Sequence, residues 1–202
     1  PHGVVALVTP WNFPTAIPAW KQFPSLICGN TVVLKPSSTT PACAAALVGA
    51  LTDAGIPPGV VNLVHGPGGD VGEYLAIHPD VDAVSFTGSC AAGERLHSLL
   101  AGLHRPFAAE MGGKNAILVM DDADLTLALE GVLWGAFGTS GQRCTAASRV
   151  IVHERIHDRF LEMLVNGAKR LRLGPGLNPE TDVGPVVNRQ QMDRVLEYIR
   201  IG

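Results

Sequence analysis

Short runs of apolar, largely β-branched residues alternate along the chain with longer stretches of helical period. Strands are expected at 4–8, 31–34, 60–64 and 81–86, because such runs, bounded by Gly and Pro, suit strands covered on both faces. Helices are expected at 13–27, 41–54, 71–77 and 91–102, between connections marked by Pro and Gly. This regular succession predicts a parallel sheet with helices on both faces. A further apolar stretch, 106–109, runs into Glu110-Met111-Gly112-Gly113, after which the pattern restarts with a strand at 116–120, a helix at 125–137, a strand at 150–152 and a helix at 156–171. Gly112-Gly113 is the expected hinge between a domain over 1–112 and a second over 113–202. Residues 173–180 are rich in Gly and Pro and read as an exposed loop.

Composition narrows the class. A chain of 202 residues with 47% hydrophobic and 16% charged residues is ordinary for a soluble α/β protein. Its net charge of −3 provides no basic field for a phosphate backbone, so no nucleic-acid partner is expected. Four cysteines stand far apart with no C-x-x-C pair, which predicts a reducing, cytoplasmic setting and no disulfide scaffold. The seven histidines show no metal-ligand spacing, and no metal is expected. Neither a leader nor a run of eighteen apolar residues is seen, so no membrane association is expected. The chain opens on Pro1 without an initiating Met and closes on Gly202 just after a helical pattern, and it reads as an excerpt from a longer polypeptide.

Ligands in open parallel sheets sit beyond the carboxyl ends of strands, where helix N-termini favour anions. Four junctions qualify, at residues 9–14, 35–38, 66–69 and 86–89, although none is a G-x-G-x-x-G fingerprint. Cys144 follows Gly141-Gln142-Arg143 just beyond a predicted helix, a setting that gives a thiol access and flexibility; it is either a nucleophile or a packed core cysteine. Glu110 is delivered from an apolar strand onto a turn, as a general base or as an exposed hinge carboxylate. Asn12 is either a helix cap or the amide donor to an oxyanion.

The motifs P-W-N-F-P (10–14), L-K-P-S-S (34–38), F-T-G-S (86–89), E-M-G-G-K (110–114) and G-Q-R-C (141–144) occur in this order, at intervals that match a known family. Together they resemble the aldehyde dehydrogenase superfamily over the whole chain. The resemblance implies a Rossmann-like cofactor-binding domain in its later portion, followed by the first portion of an α/β catalytic domain. It implies oxidation of an aldehyde to a carboxylic acid with hydride passed to NAD or NADP. Cys144 would attack the carbonyl carbon to form a thiohemiacetal, with its oxyanion held by the Asn12 amide and the Cys144 backbone N–H. Glu110 would be the base that hydrolyses the resulting thioester.

For the cofactor, the resemblance implies that Thr9, Pro10 and Trp11 line the nicotinamide side and that Lys35 bonds the adenosine ribose. Gly88 and Ser89 would present the pyrophosphate to a helix N-terminus, and Gly68 and Gly72 would flank the adenine. Met111 and Gly112 would stand beside the cofactor and the base. Many relatives that prefer NAD place a Glu three residues after the Lys, where this chain has Ser38, so NADP is expected to be accepted. The sequence around Pro18-Ala19-Trp20-Lys21 and Cys144 is most similar to bacterial semialdehyde dehydrogenases acting on α-ketoglutarate semialdehyde. Arg143 would either receive an acidic substrate or make a structural ion pair. Glu110 argues against an acylating relative that uses coenzyme A, and Cys144 with Asn12 argues against a non-catalytic homologue. The longer family protein would be a homo-oligomer, and it contains an E-x-F-G-P segment that is absent here, so the excerpt by itself could lack activity.

Overall fold

A computed structural model describes residues 1–201; Gly202, the last residue of the expected second domain, lies outside the described residues. The chain divides into two compact units, Pro1–Met111 and Gly112 onward.

The first unit is a five-stranded sheet flanked by helices. Its strands are β1 (Val4–Val8), β2 (Thr31–Lys35), β3 (Val61–Leu63), β4 (Ala83–Thr87) and β5 (Phe107–Glu110), all parallel, in the order β3-β2-β1-β4-β5. Alternate residues of β1 serve two cores. Val5 and Leu7 pack with Val32, Leu34 and Ala44 under α1 (Ala16–Ile27) and α2 (Pro41–Asp53). Ala6 and Val8 pack with Val84, Phe86, Leu96 and Leu100 under α3 (Glu73–Ile77) and α4 (Cys90–Leu100). A strand buried on both faces must be apolar throughout, which is why the run at 4–8 carries no polar alternation. Because each fully buried aliphatic side chain contributes about 1.5–3 kcal/mol, β1 is the strand least open to substitution.

The expected helix at 13–27 begins later, at Ala16. Phe13 precedes Pro14, and the proline ring disfavours the helical conformation of the residue before it. The expected helix at 71–77 is preceded by a π-helical turn, Gly68–Gly72, leaving only Glu73–Ile77 as α-helix. The strand expected at 81–86 starts at Ala83, the first residue in register with β1.

In the second unit β6 (Asn115–Val119) pairs in parallel with β7 (Ala147–Val152), which is longer than the expected 150–152. Val119, Val132 and Phe160 bring together β6, α5 (Leu125–Phe137) and α6 (His157–Lys169). Helix α6 is entered through a 3₁₀ turn, Glu154–Ile156, and α7 is Arg189–Ile201. Among the described residues no helix is long and apolar enough to cross a membrane, and no three His, Cys, Asp or Glu side chains cluster to hold a metal.

Candidate active site

The strand order reverses between β1 and β4, and the carboxyl ends of these strands bear the motifs at 9–14 and 86–89. This is the position at which doubly wound sheets open a ligand crevice. Thr9 follows β1 directly and donates its backbone N–H to the Lys35 carbonyl at 3.1 Å, joining the ends of β1 and β2. The Thr9 hydroxyl oxygen is buried with no protein partner, a polar group whose desolvation is uncompensated within the chain. Pro10, Trp11 and Asn12 are half-buried in the bend leading to α1. Asn12 is not the cap of α1, since the capping position falls on Thr15.

Lys35 ends β2 and is only 3% exposed. Burial pushes its amine below the ordinary lysine range. Its Nζ donates to the carbonyls of Pro36 at 2.7 Å and Gly66 at 3.0 Å, and the Ser38 hydroxyl donates to the same Gly66 oxygen at 2.9 Å. Lys35 and Ser38 therefore meet on one acceptor at the mouth of the β3 to α3 connection, where the π-helical turn begins at exposed Gly68 and ends at buried Gly72, packed beside the Lys35 stem.

At the end of β4, Gly88 is required by close packing: a Cβ there would lie 2.4 Å from the Phe86 ring. Ser89 caps α4, its hydroxyl oxygen accepting from the Ala92 N–H at 3.3 Å. The first turn of α4 has no acidic residue, so nothing opposes an anion at its positive end.

Glu110 ends β5 and is exposed, and its carbonyl accepts from the Gly88 N–H at 3.1 Å. Strand alternation puts Ala109 on the α4 side and Glu110 on the α1 side, together with Ser85 of β4. From α1 Lys21 reaches this face, donating to Ser85 Oγ at 2.7 Å and the Phe86 carbonyl at 3.3 Å. Burial pushes the pKa of its amine below the usual lysine value, and the charge of Glu110 acts in the opposite direction. Lys21 was visible in sequence only as part of a motif; sheet register alone reveals its link to the carboxylate. Met111 lies over the small face that Gly93 leaves on α4.

Cys144 belongs to the second unit, as does exposed Gly112. It is exposed, in the turn between α5 and β7. The approach is conformationally unusual: Thr139, Ser140 and Gly141 have φ of 55°, 55° and 69° in succession. Glycine is at home there, whereas each of the other two costs about 1–2 kcal/mol. No carboxylate among the described residues pairs with Arg143, so the ion pair considered from sequence is not formed. Asn12 and Glu110 stand in the first unit and Cys144 in the second.

The aldehyde dehydrogenase family model matches residues 1–202. The chain belongs to this family. This aldehyde dehydrogenase chain is 46% identical over its full length to the alpha-ketoglutaric semialdehyde dehydrogenase of Bacillus subtilis (strain 168), of which it covers 41%. It is 48% identical to the 2,5-dioxopentanoate dehydrogenase of Saccharolobus solfataricus, again over all of this chain and 42% of that protein. Among solved structures, PnpE in complex with nicotinamide adenine dinucleotide superposes with a TM-score of 0.97 at 44% identity, covering 100% of this chain and 41% of that one. The chain thus spans about two-fifths of the length of these relatives.

Proposed function

We propose that this chain carries the dinucleotide site and the nucleophile of an enzyme that oxidises an aldehyde to a carboxylic acid with NAD or NADP. The observation that carries the proposal is the placement of Thr9, Lys35, Gly88 and Ser89 at the carboxyl ends of β1, β2 and β4 around the switch point. These residues suit a dinucleotide: a buried hydroxyl without a protein partner, a buried ammonium beside an exposed hydroxyl, and a capped helix N-terminus free of acidic side chains. Thr9, Pro10 and Trp11 would face the nicotinamide, Lys35 and Ser38 the adenosine ribose, Gly68 and Gly72 the adenine, and Gly88 and Ser89 the pyrophosphate. Met111 and Gly112 would border the cofactor. A bound nicotinamide supplies a hydride acceptor.

The Cys144 thiolate attacks the aldehyde carbon, and the Asn12 amide and the Cys144 N–H bond the developing oxyanion, each such donor lowering the barrier by about 3 kcal/mol. Loss of hydride from the tetrahedral carbon leaves a thioester on Cys144. Glu110 takes a proton from the water that cleaves it, releasing the acid and restoring the thiol. The semialdehyde relatives support a dicarboxylic semialdehyde as substrate. Four free cysteines support a cytoplasmic setting, and the family match supports a homo-oligomeric whole protein.

The nucleophile is tested in the intact enzyme. Cys144→Ala should abolish production of reduced dinucleotide with every aldehyde, and iodoacetamide should modify Cys144 faster than Cys28, Cys43 and Cys90. Turnover retained by Cys144→Ala would remove the mechanism.

A further inference from the structure

Two side chains hold the backbone on either side of Cys144, and neither belongs to the nucleophile, oxyanion or base assignments. Arg143 folds back along the end of α5, donating from Nη2 to the carbonyls of Trp134 at 2.6 Å and Gly135 at 3.3 Å. Its guanidinium carbon stands 5.0 Å from the centre of the Trp134 ring. The Trp134 carbonyl already accepts from the capping Gly138 N–H and offers Arg143 its second lone pair, and a cation at a helix C-terminus is favoured by the helix dipole, so this contact ties the residue before the nucleophile to a rigid element.

On the other side Asn115 donates from Nδ2 to the carbonyl of Cys144 itself at 2.8 Å and to that of Ala146 at 3.1 Å. Asn115 sits at a break in the β6–β7 register, where Asn115 pairs with Ala147 but Ala116 pairs with Arg149. Such irregularities re-aim side chains, and this one turns an amide toward the nucleophile turn instead of along the strand. Further out, the Ser140 hydroxyl donates to the Gly184 carbonyl at 2.7 Å. The turn so held includes two non-glycine residues in the left-handed region, a conformation that persists only when its surroundings fix it.

We infer that Asn115 and Arg143 are positioning residues that clamp the peptide on both sides of Cys144, fixing the direction of its thiol and of the N–H that faces the oxyanion. The inference rests on Cys144 being the nucleophile. It assigns Arg143 to the protein's own backbone, since one arm of its fork and one face of its plane are engaged by α5.

The test uses the intact enzyme and reads the pre-steady-state burst of reduced dinucleotide, the KM for dinucleotide and the relative use of a neutral and a carboxylate-bearing aldehyde. Asn115→Ala and Arg143→Ala should each slow the burst about 10- to 100-fold, the scale on which small misplacements act. The KM for dinucleotide and the preference between the two aldehydes should stay unchanged. Arg143→Lys retains a donor for the α5 carbonyls and should recover part of the rate. If either alanine variant fails to fold, Arg143→Lys and Asn115→Asp are read in its place, the second losing the donor at constant shape. Bursts at the wild-type rate would overturn the clamp. So would an Arg143→Ala effect confined to the KM of the carboxylate-bearing aldehyde, which would make Arg143 a substrate-binding residue. Wild-type Cys144 alkylating no faster than the other three cysteines would instead remove the nucleophile assignment, and the clamp with it.

Discussion

Ser38 sets the character of the ribose end of the proposed dinucleotide site. Its hydroxyl and the Lys35 ammonium share the Gly66 carbonyl, so position 38 sets an uncharged hydroxyl beside one positive charge. A carboxylate at this position would accept both ribose hydroxyls but repel a 2′-phosphate, whereas a hydroxyl can turn from Gly66 to meet one. Wild-type enzyme should therefore turn over with NADP as well as NAD, and Ser38→Glu should lower kcat/KM for NADP about tenfold or more, the equivalent of roughly 1.4 kcal/mol, with a smaller change for NAD. Initial rates with both cofactors decide it. Strict NAD selectivity in the wild type would defeat the reading of Ser38, and the complex of PnpE with nicotinamide adenine dinucleotide shows that a relative of this fold does bind NAD.

At the scale of elements, the loop following α6 is held closed by Arg172, which pairs with Asp182 at 2.9 Å and also with Glu180, next to a parallel bridge from Leu173 to Val183. Side-chain and backbone hydrogen bonds from Arg172 hold the Asp182 carboxyl down at about 2. A depressed carboxyl stabilises the closed loop above the ordinary aspartate range, near 4, and that contribution is lost as pH falls through about 2. Exposed pairs contribute little to global stability, so the effect should be local. Amide exchange at Arg172, whose N–H donates to Asp182, should lose protection between about pH 4 and 2 while β1 stays protected, and Asp182→Asn should flatten this dependence. Constant protection across that window would show that the carboxylate is not what closes the loop. Sequence already marked 173–180 as a turn-rich loop, because Gly and Pro signal locally. It could not show the Arg172 clasp, nor Asn115 reaching Cys144 across 29 positions, because side-chain partners distant in sequence leave no periodicity. Strands β1, β2 and β4 were legible because burial on both faces forces apolar runs, and the switch-point motifs because they sit at strand ends. The order β3-β2-β1-β4-β5 and the left-handed turn before Cys144 follow from packing between segments distant in sequence, which leaves no local pattern to read.

For the molecule as a whole, the apolar side chains left on its surface are the dominant physical fact. Ile27 is 89% and Leu177 99% exposed, and Leu118, Met120 and Ile151 stand on an uncovered face of the two-stranded sheet β6-β7. Soluble monomers rarely leave large contiguous apolar patches in water, and a sheet of two strands is marginal unless something packs on it. Relatives that match this chain end to end are more than twice its length, and the remaining three-fifths of such a protein, or a second copy, would have this surface to cover. The 202-residue chain expressed alone should therefore bind an apolar dye such as anilinonaphthalene sulfonate and self-associate, by light scattering, in proportion to its concentration. A net charge of only −3 gives weak repulsion to resist this. A protein of the relatives' length containing this sequence should bind far less dye per chain and keep a fixed oligomeric state on dilution. A monomeric 202-residue chain without dye binding would mean that these side chains find cover within the chain itself, and would count against the need for further chain or a second subunit.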